Sequence, residues 1–322
     1  PGEIIKGALE AVREFRQEVI LVGDEELIRQ QIAGRLPDLV GIVHAPEVIS
    51  MRESPAGAVR RKKNSSIVKA VQLVKDGAAG AVVSAGNTGA AMAAGVLFLG
   101  LIPGIDRPAI ATLLPSRKGK TLLIDSGANV DCRPAHLFQF ALMGHLYQEE
   151  ILGVKRPKVG LLSIGEEETK GNELTHAAYR LLQHPLLNFI GNVEGRDIYE
   201  GTADIVVCDG FTGNIVLKAG EGMVTALLDM LKDEIRKSTP AKIGMTMLLP
   251  TLKRFWRRLD YAEYGGAPLL GVNGTVIICH GRSPARAIRN AIRLGRESAE
   301  SNLVPAIKKS VQQAQHRKVE QI

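Results

Sequence analysis

Along this chain, short apolar runs rich in β-branched residues alternate with longer stretches in which apolar positions return at helical spacing. The short runs cover residues 19–23, 40–44, 81–84, 110–114, 121–125, 158–164, 204–208 and 275–279. Several are continuously apolar rather than alternating, the pattern of strands covered on both faces. Residues 66–75, 88–99, 134–152, 172–182 and 212–237 read as helices between them, and 4–15 reads as a helix ahead of the first run. This alternation predicts an α/β fold of three layers around a largely parallel sheet. No internal repeat, low-complexity tract or flexible linker divides it. Residues 1–322 are therefore expected to form one α/β domain, with any second lobe continuous with the first. Because no run precedes the first helix, a further strand upstream of it is expected.

Four of the runs end in small, polar turns that open a helix: Ser84-Ala-Gly-Asn-Thr-Gly-Ala90, Asp125-Ser-Gly-Ala-Asn-Val-Asp131, Ser163-Ile-Gly-Glu-Glu-Glu-Thr-Lys-Gly-Asn-Glu173 and Cys208-Asp-Gly-Phe-Thr-Gly-Asn214. In an open α/β sheet such strand ends gather at one edge, where ligands bind. Glycine lets the backbone approach a ligand, and free N–H groups at a helix start favour an anion. Tight strand-to-helix connections also use Gly and Asn for conformation alone. Four of them with Asn or Thr beside Gly point to a site for an anion or phosphate ester. Neither GxxxxGK[ST] nor GxGxxG occurs, which speaks against a nucleoside triphosphatase and a dinucleotide fold. HExxH and GxSxG are absent too, so neither a zincin nor a hydrolase nucleophile elbow is indicated.

Composition adds limits. With 45% apolar and 23% charged residues the chain can bury a large core, which excludes disordered and fibrous classes. No ~18-residue apolar stretch exists to span a membrane. Cys132, Cys208 and Cys279 lie far apart, outside any zinc-type spacing, which points to a reducing, cytoplasmic compartment and to no metal site. Cys208 and Cys279, inside apolar runs, read as buried small hydrophobes. The net charge of +7 is uneven: residues 232–310 carry 15 Lys and Arg against 6 Asp and Glu, and the remainder 26 against 28. The basic last quarter suggests an acidic partner. Few aromatic residues and no recognisable nucleic-acid module argue against nucleic acid.

Seven motifs in order carry a family resemblance: Val59-Arg-Arg-Lys-Lys-Asn-Ser-Ser66, Ser84-Ala-Gly-Asn-Thr-Gly-Ala90, Gly104-Ile-Asp-Arg-Pro-Ala109, Gly127-Ala-Asn-Val-Asp131, Lys170-Gly-Asn-Glu-Leu-Thr175, Asp209-Gly-Phe-Thr-Gly-Asn214 and Tyr264-Gly-Gly-Ala267. Together they closely resemble the PlsX family of bacterial phosphate acyltransferases, from residue 1 to about residue 300. The resemblance implies transfer of a fatty acyl group from acyl carrier protein to inorganic phosphate, giving acyl phosphate for phospholipid synthesis. It also implies a fold similar to isocitrate dehydrogenase and phosphotransacetylase, and a homodimer. The family opens with a strand ending in Asp-Ala-Met-Gly-Gly-Asp, which this sequence starts after.

Phosphate is anionic at neutral pH, so its attack on a thioester needs little from a general base. The site must hold phosphate, stabilise the oxyanion and let a thiolate leave. Position and resemblance together name Lys170, in an acidic turn, as the positive charge and Asn214, at a helix start, as the amide donor. Asn87, Thr88 and Gly89 form the candidate phosphate cradle. Asn64, Ser65 and Ser66 could add donors, with Lys62 or Lys63 nearby. Asp125, Asn129 and Asp209 read as residues that orient the turns around the substrate, and His176 lies close to the Lys170 turn. For each Asn and Asp the competing role is a helix N-cap. Catalysis without metal or cofactor is expected. Two other readings stay open: a phosphotransacetylase-like enzyme using acyl-coenzyme A, and a non-catalytic membrane adaptor.

Residues 238–262 form a basic amphipathic segment. Met245, Leu248, Leu249, Leu252, Phe255, Trp256 and Leu259 fall within ~120° of helical arc. Lys253, Arg254, Arg257 and Arg258 occupy the other side. Pro250 requires a place near a helix start or a kink. A basic helix with Trp and Phe on its apolar face is the pattern of an interfacial anchor. It names Leu248, Leu252, Phe255 and Trp256 as contacts with an anionic membrane, where a membrane acyltransferase would take up the acyl phosphate. Burial against a dimer partner is the alternative. Further on, Ser283 reads as an N-cap with Pro284 in the first turn. Arg286, Arg289, Arg293 and Arg296 then lie within ~80° of one another. Acyl carrier protein is strongly acidic, so Arg286, Arg289 and Arg293 form a candidate docking stripe, with a solvated face as the alternative.

Overall fold

The structure, a computed structural model, describes residues 1–32, 34–259 and 263–319, and their side chains except those of 253–259 and 316–319. Strands β1 (Val19–Gly23) and β2 (Val40–His44) pair in parallel as a separate two-stranded sheet. Eight more strands form the main sheet: β3 (Ala81–Ser84), β4 (Ala109–Ser116), β5 (Gly119–Ile124), β6 (Lys158–Leu162), β7 (Asn188–Val193), β8 (Ile205–Val207), β9 (Ala267–Leu270) and β10 (Thr275–Ile278). Their spatial order is β3-β10-β9-β4-β5-β8-β6-β7. Every predicted run is a strand, and the sheet is α/β and largely parallel as expected. β7 and β9 lie outside the predicted runs: β7 is broken by a bulge, and β9 is four residues long and contains Pro268.

The parallel pairing has one interruption that matters for function. β10 runs parallel to β3, and β5, β8, β6 and β7 run parallel to one another. Between these blocks, β9 is antiparallel to both β10 and β4, and β4 is antiparallel to β5. Three reversals leave the two blocks running in opposite senses. The carboxyl ends of β3 and β10 therefore lie at one edge of the hydrogen-bonded sheet, and those of β5, β8, β6 and β7 at the other.

The continuous apolar runs are explained by burial on both faces. In β5 and β8, Leu122, Ile124, Ile205 and Val207 pack with Phe140, Met143 and Tyr147 of helix α6 (Pro134–Glu150), using one face. Leu123 and Val206 turn to the other face and pack with Val193, Ile198 and Cys208. Helix α6 is apolar nearly all round, and Gly144 lets it approach Ile205 and Ile124 closely. The chain starts with helix α1 (Gly2–Phe15), followed by α2 (Glu25–Gln31), α3 (Pro55–Arg61), α4 (Ser66–Lys75) and α5 (Thr88–Ala94). Next come α6, α7 (Glu173–Leu182) and α8 (Gly195–Glu200), then two long helices, α9 (Gly210–Arg236) and α10 (Thr239–Leu259). Helices α11 (Ala285–Glu300) and α12 (Leu303–Val319) close the fold.

The start of α11 differs from expectation. Pro284 is its N-cap, and the Ala285 N–H donates to the Glu3 carboxylate of α1 at 2.7 Å. Ser283 takes no part; its buried hydroxyl has no partner among the described residues. Gly7 permits this contact, because a Cβ there would strike the Ala285 carbonyl.

Candidate active site

Three of the four Gly- and Asn-rich turns meet at the edge formed by β5, β8 and β6. Their registers align Ile124 with Val207 and Val207 with Leu161, so Asp125, Cys208 and Leu162 leave the sheet side by side. Asp125 organises this corner. Its fully buried carboxylate accepts from the backbone N–H groups of Ile110 (3.1 Å), Gly127 (3.1 Å), Ala128 (2.9 Å) and Asn129 (2.7 Å). It also accepts from Asn129 Nδ2 at 2.8 Å. Burial raises the Asp125 carboxyl above the usual range, and these donors oppose the rise. Every one of these contacts is a donor, so the surroundings satisfy the ionised form. Asn129 Nδ2 also donates to the Pro108 carbonyl at 2.7 Å, tying the turn to the segment before β4.

Helix α9 starts against the same corner. Asp209 caps it, accepting from Thr212 N at 2.8 Å and Thr212 Oγ1 at 2.8 Å. The Gly210 N–H donates to the Asn129 carbonyl at 2.8 Å. Gly210 and Gly213 have to be glycine here, since a Cβ on either would strike Asp125 or Asn129. The close approach brings the exposed Asn214 amide over Gly127, 3.5 Å from where a Cβ would stand. Asp125, Asn129 and Asp209 thus hold the turns together through these hydrogen bonds, and the Asn214 side chain has no hydrogen-bond partner among the described residues.

Lys170 lies in the turn after β6, exposed, with no carboxylate on its ammonium among the described residues. The turn itself is held firmly. Ser163 Oγ donates to the Lys170 carbonyl at 3.1 Å, and His176 Nε2 lies 3.1 Å from the Thr169 carbonyl. Asn172 caps α7 through Thr175. Arg196 reaches Glu166 at 3.0 Å from the start of α8.

Two exposed cations, Arg107 and Arg133, stand near this corner although the turn pattern did not point to them. Asp106 is held by Gln139, at 3.0 Å from Nε2, which leaves Arg107 without a carboxylate partner among the described residues. Burial lowers the His136 pKa, Asp106 opposes this, and the charges of Arg107 and Arg133 lower it further. Burial pushes the Cys132 thiol up to about 11, which disfavours its thiolate. The only sequence signal for Arg107 was the Gly104-Ile-Asp-Arg-Pro-Ala109 motif.

The fourth turn, after β3, leaves from the opposite edge, because of the strand reversals. Its expected phosphate cradle is largely consumed by the fold. Asn87 Oδ1 accepts from Ala90 N and its Nδ2 donates to the Ser50 carbonyl, each at 3.0 Å, so the side chain is a helix cap and a tether. Gly89 is needed for packing, because the Pro55 ring lies 2.6 Å from where its Cβ would be. Thr88 remains exposed. The start of α4 is likewise occupied. Asn64 N donates to the Glu47 carboxylate (2.9 Å) and Ser66 N to the Glu47 carbonyl (3.2 Å), while Ser65 N and Oγ both bond the Lys62 carbonyl. Lys62 itself pairs with Glu53 at 2.8 Å. These backbone N–H groups and the Ser65 hydroxyl are thus engaged within the fold. The two groups still meet through packing: Ala128 of the Asp125 turn rests on the apolar cluster containing Val59, Ala90 and Ala91.

The candidate docking stripe on α11 is also committed internally. Arg286 pairs with Glu263 at 2.7 Å, Arg289 with Glu14 at 3.0 Å and Arg293 with Glu297 at 3.6 Å. Arg296 stacks near the Phe15 ring. Of these partners, Glu14 lies on α1 and Glu297 on α11 itself. On α10, Leu248 is exposed and Leu252 half-buried, whereas the side chains of Phe255 and Trp256 lie outside the described residues. Pro250 lies inside α10, not near its start.

Among the described residues no helix is long and apolar enough to cross a membrane, and no cluster of His, Cys, Asp or Glu could hold a metal ion. A family model described as fatty acid synthesis protein matches residues 1–305. A phosphate acyltransferase from Pelotomaculum thermopropionicum is 63% identical over 313 residues, 97% of this chain and 92% of that one. One from Desulforamulus reducens is 57% identical, covering 97% and 94%. In fold, a phosphotransacetylase from Streptococcus pyogenes superposes with a TM-score of 0.64 at 18% identity, over 93% of this chain and 91% of the other. A branched-chain phosphotransacylase from Enterococcus faecalis does so at 0.58 and 16%, over 93% and 95%. At those identities the structural likeness speaks for the fold alone. The family match and the high identity along almost the entire length mean that this chain belongs to the PlsX family of phosphate acyltransferases, transferases that pass an acyl group to phosphate in fatty acid and phospholipid synthesis.

Proposed function

We propose that the acyl donor is a fatty acyl thioester of acyl carrier protein and that transfer takes place at the Asp125–Asn214 corner. The observation that carries this reading is the pair of uncommitted side chains there. The Asn214 and Lys170 side chains follow the neighbouring parallel strands β8 and β6, and Asn214 lies over the Gly127 backbone that Asp125 fixes. A phosphate oxygen attacks the thioester carbonyl carbon, forming the C–O bond and an oxyanion. The Asn214 N–H donates to that oxyanion, and the Lys170 charge stabilises it and the thiolate that leaves as the C–S bond breaks. A thiol pKa of about 8.5 makes this leaving group undemanding. Arg107 and Arg133, exposed near this corner, would supply positive charge for the entering phosphate.

The exposed apolar residues Met223, Leu227 and Met230 of α9 and Ile243, Met247 and Leu248 of α10 support association of this hairpin with an anionic membrane surface or with a second copy in a homodimer. The protein would then work as a cytoplasmic, peripherally bound enzyme delivering acyl phosphate to a membrane acyltransferase.

Incubation with acyl carrier protein thioester and labelled phosphate is expected to yield an acid-labile acyl phosphate. A larger kcat/KM with the coenzyme A thioester of the same acyl chain would instead favour a phosphotransacetylase-like enzyme. No product with either donor would reject the assignment.

A further inference from the structure

The turn carrying Lys170 is anchored from β7, a strand outside the predicted runs. Asn192, near the end of β7 and paired with Leu161 of β6, is only 7% exposed. Its Nδ2 donates to the Glu167 carbonyl at 2.8 Å and also lies 3.4 Å from the Lys170 carbonyl. The Glu167 carbonyl in turn accepts from the Lys170 N–H at 3.0 Å, so one amide group reaches both ends of the turn. Ser163 Oγ grips the same Lys170 carbonyl from β6.

The backbone of β7 is shaped to deliver this side chain. Phe189 pairs with Val159 and Gly191 with Gly160, which leaves Ile190 as an extra residue, and Gly191 has φ +99°. An inserted residue reverses the alternation of side chains beyond it. The bulge therefore decides that Asn192 reaches the Lys170 turn. With two carbonyls in front of it, the amide must present Nδ2 there, and Oδ1 is left buried with no donor among the described residues. A buried amide with one unsatisfied atom is a cost to the fold. Here that cost accompanies a grip on the catalytic turn.

We infer that Asn192 is a positioning residue for Lys170, fixing the main chain from which the ammonium reaches the reacting thioester. This rests on the reading of Lys170 as catalytic. A double-mutant cycle tests it, using acyl phosphate formation by wild type, Asn192→Ala, Lys170→Ala and the double variant. Asn192→Ala is expected to lower kcat about tenfold or more, as small misplacements of a catalytic group do, with KM for phosphate nearly unchanged. In the Lys170→Ala background it is expected to lower kcat no further, because its effect passes through Lys170. Equal losses in both backgrounds would overturn the inference, since a general loss of packing would produce them. A fully active Asn192→Ala beside a crippled Lys170→Ala would overturn it while leaving Lys170 in place. An active Lys170→Ala would remove the premise as well. Ser163→Ala, a milder change at the same carbonyl, is expected to show the same dependence on Lys170 and keeps the test open if Asn192→Ala folds poorly.

Discussion

Asp125 and Asn214 share one corner, yet their loss is expected to register in different measurements. Asp125→Ala would strand the N–H groups of Ile110, Gly127, Ala128 and Asn129 in a largely buried loop. Hydrogen bonds to a charged group contribute about 1.5–3 kcal/mol each at most, and not additively. The variant should therefore lose about 3 kcal/mol or more in chemical denaturation, with activity falling as a consequence. Asn214 is exposed, and the exposed Lys170 ammonium has no carboxylate partner among the described residues. Asn214→Ala and Lys170→Ala should stay within about 0.5 kcal/mol of wild type. Steady-state assays should nonetheless show each losing on the order of 100-fold in kcat, as loss of an oxyanion donor does. The turns carrying Asp125, Asn214 and Lys170 were legible because a strand, a Gly-rich turn and a helix start leave a local trace. Asn87 left the same trace for another reason, since an N-cap also requires Asn before a helix. Only its partners, Ala90 and Ser50, tell the two roles apart.

Among the elements, the loop between β2 and α3 offers a test by pH. Glu53 accepts from Lys62 Nζ and from Ser50 N, each at 2.8 Å, and these bonds, led by Lys62, lower its pKa to about 2. A carboxyl lowered in the folded state stabilises the protein above its unfolded pKa, and that contribution is lost as pH falls. The gap in thermal midpoint between wild type and Lys62→Met should be steady above pH 4.5 and close as pH falls toward about 2. The same loop holds Asn87 through Ser50, so the effect reaches the start of α5. The α9–α10 hairpin calls for another measurement. Anionic vesicles should retain the protein in sedimentation, and Met247→Glu with Leu248→Glu should reduce retention several-fold. Undiminished binding by that double variant would shift the apolar row to the dimer. Periodicity revealed the amphipathic character of α10, but not that α9 beside it exposes a matching row.

For the whole molecule, the structure revises what the net charge means. The basic last quarter suggests an acidic partner, but within it Arg286, Arg289 and Arg293 are paired with Glu263, Glu14 and Glu297. Exposed pairs of this kind are screened and weak, and they offset part of the stripe's positive charge. What remains is short in range, since the Debye length is about 10 Å at 0.1 M salt. Raising salt should therefore release the protein from vesicles while kcat on a small acyl thioester changes little. The sequence by itself determined the α/β class, the positions of most strands and helices, and the strand-end turns that carry Lys170 and Asn214. It could do so because burial periodicity and turn chemistry are local properties, written within a few residues of one another. Only the tertiary structure decided that β4, running in the same sense as β10, pairs antiparallel with β5, which sends the Asn87 turn to the edge opposite Asp125. It alone assigned Asn87, Lys62 and the α11 arginines to structural partners, and Asn192 to the Lys170 turn. Those outcomes depend on strand order and on hydrogen-bond partners remote in sequence, and the pattern of apolar and polar residues does not encode which remote group will arrive opposite.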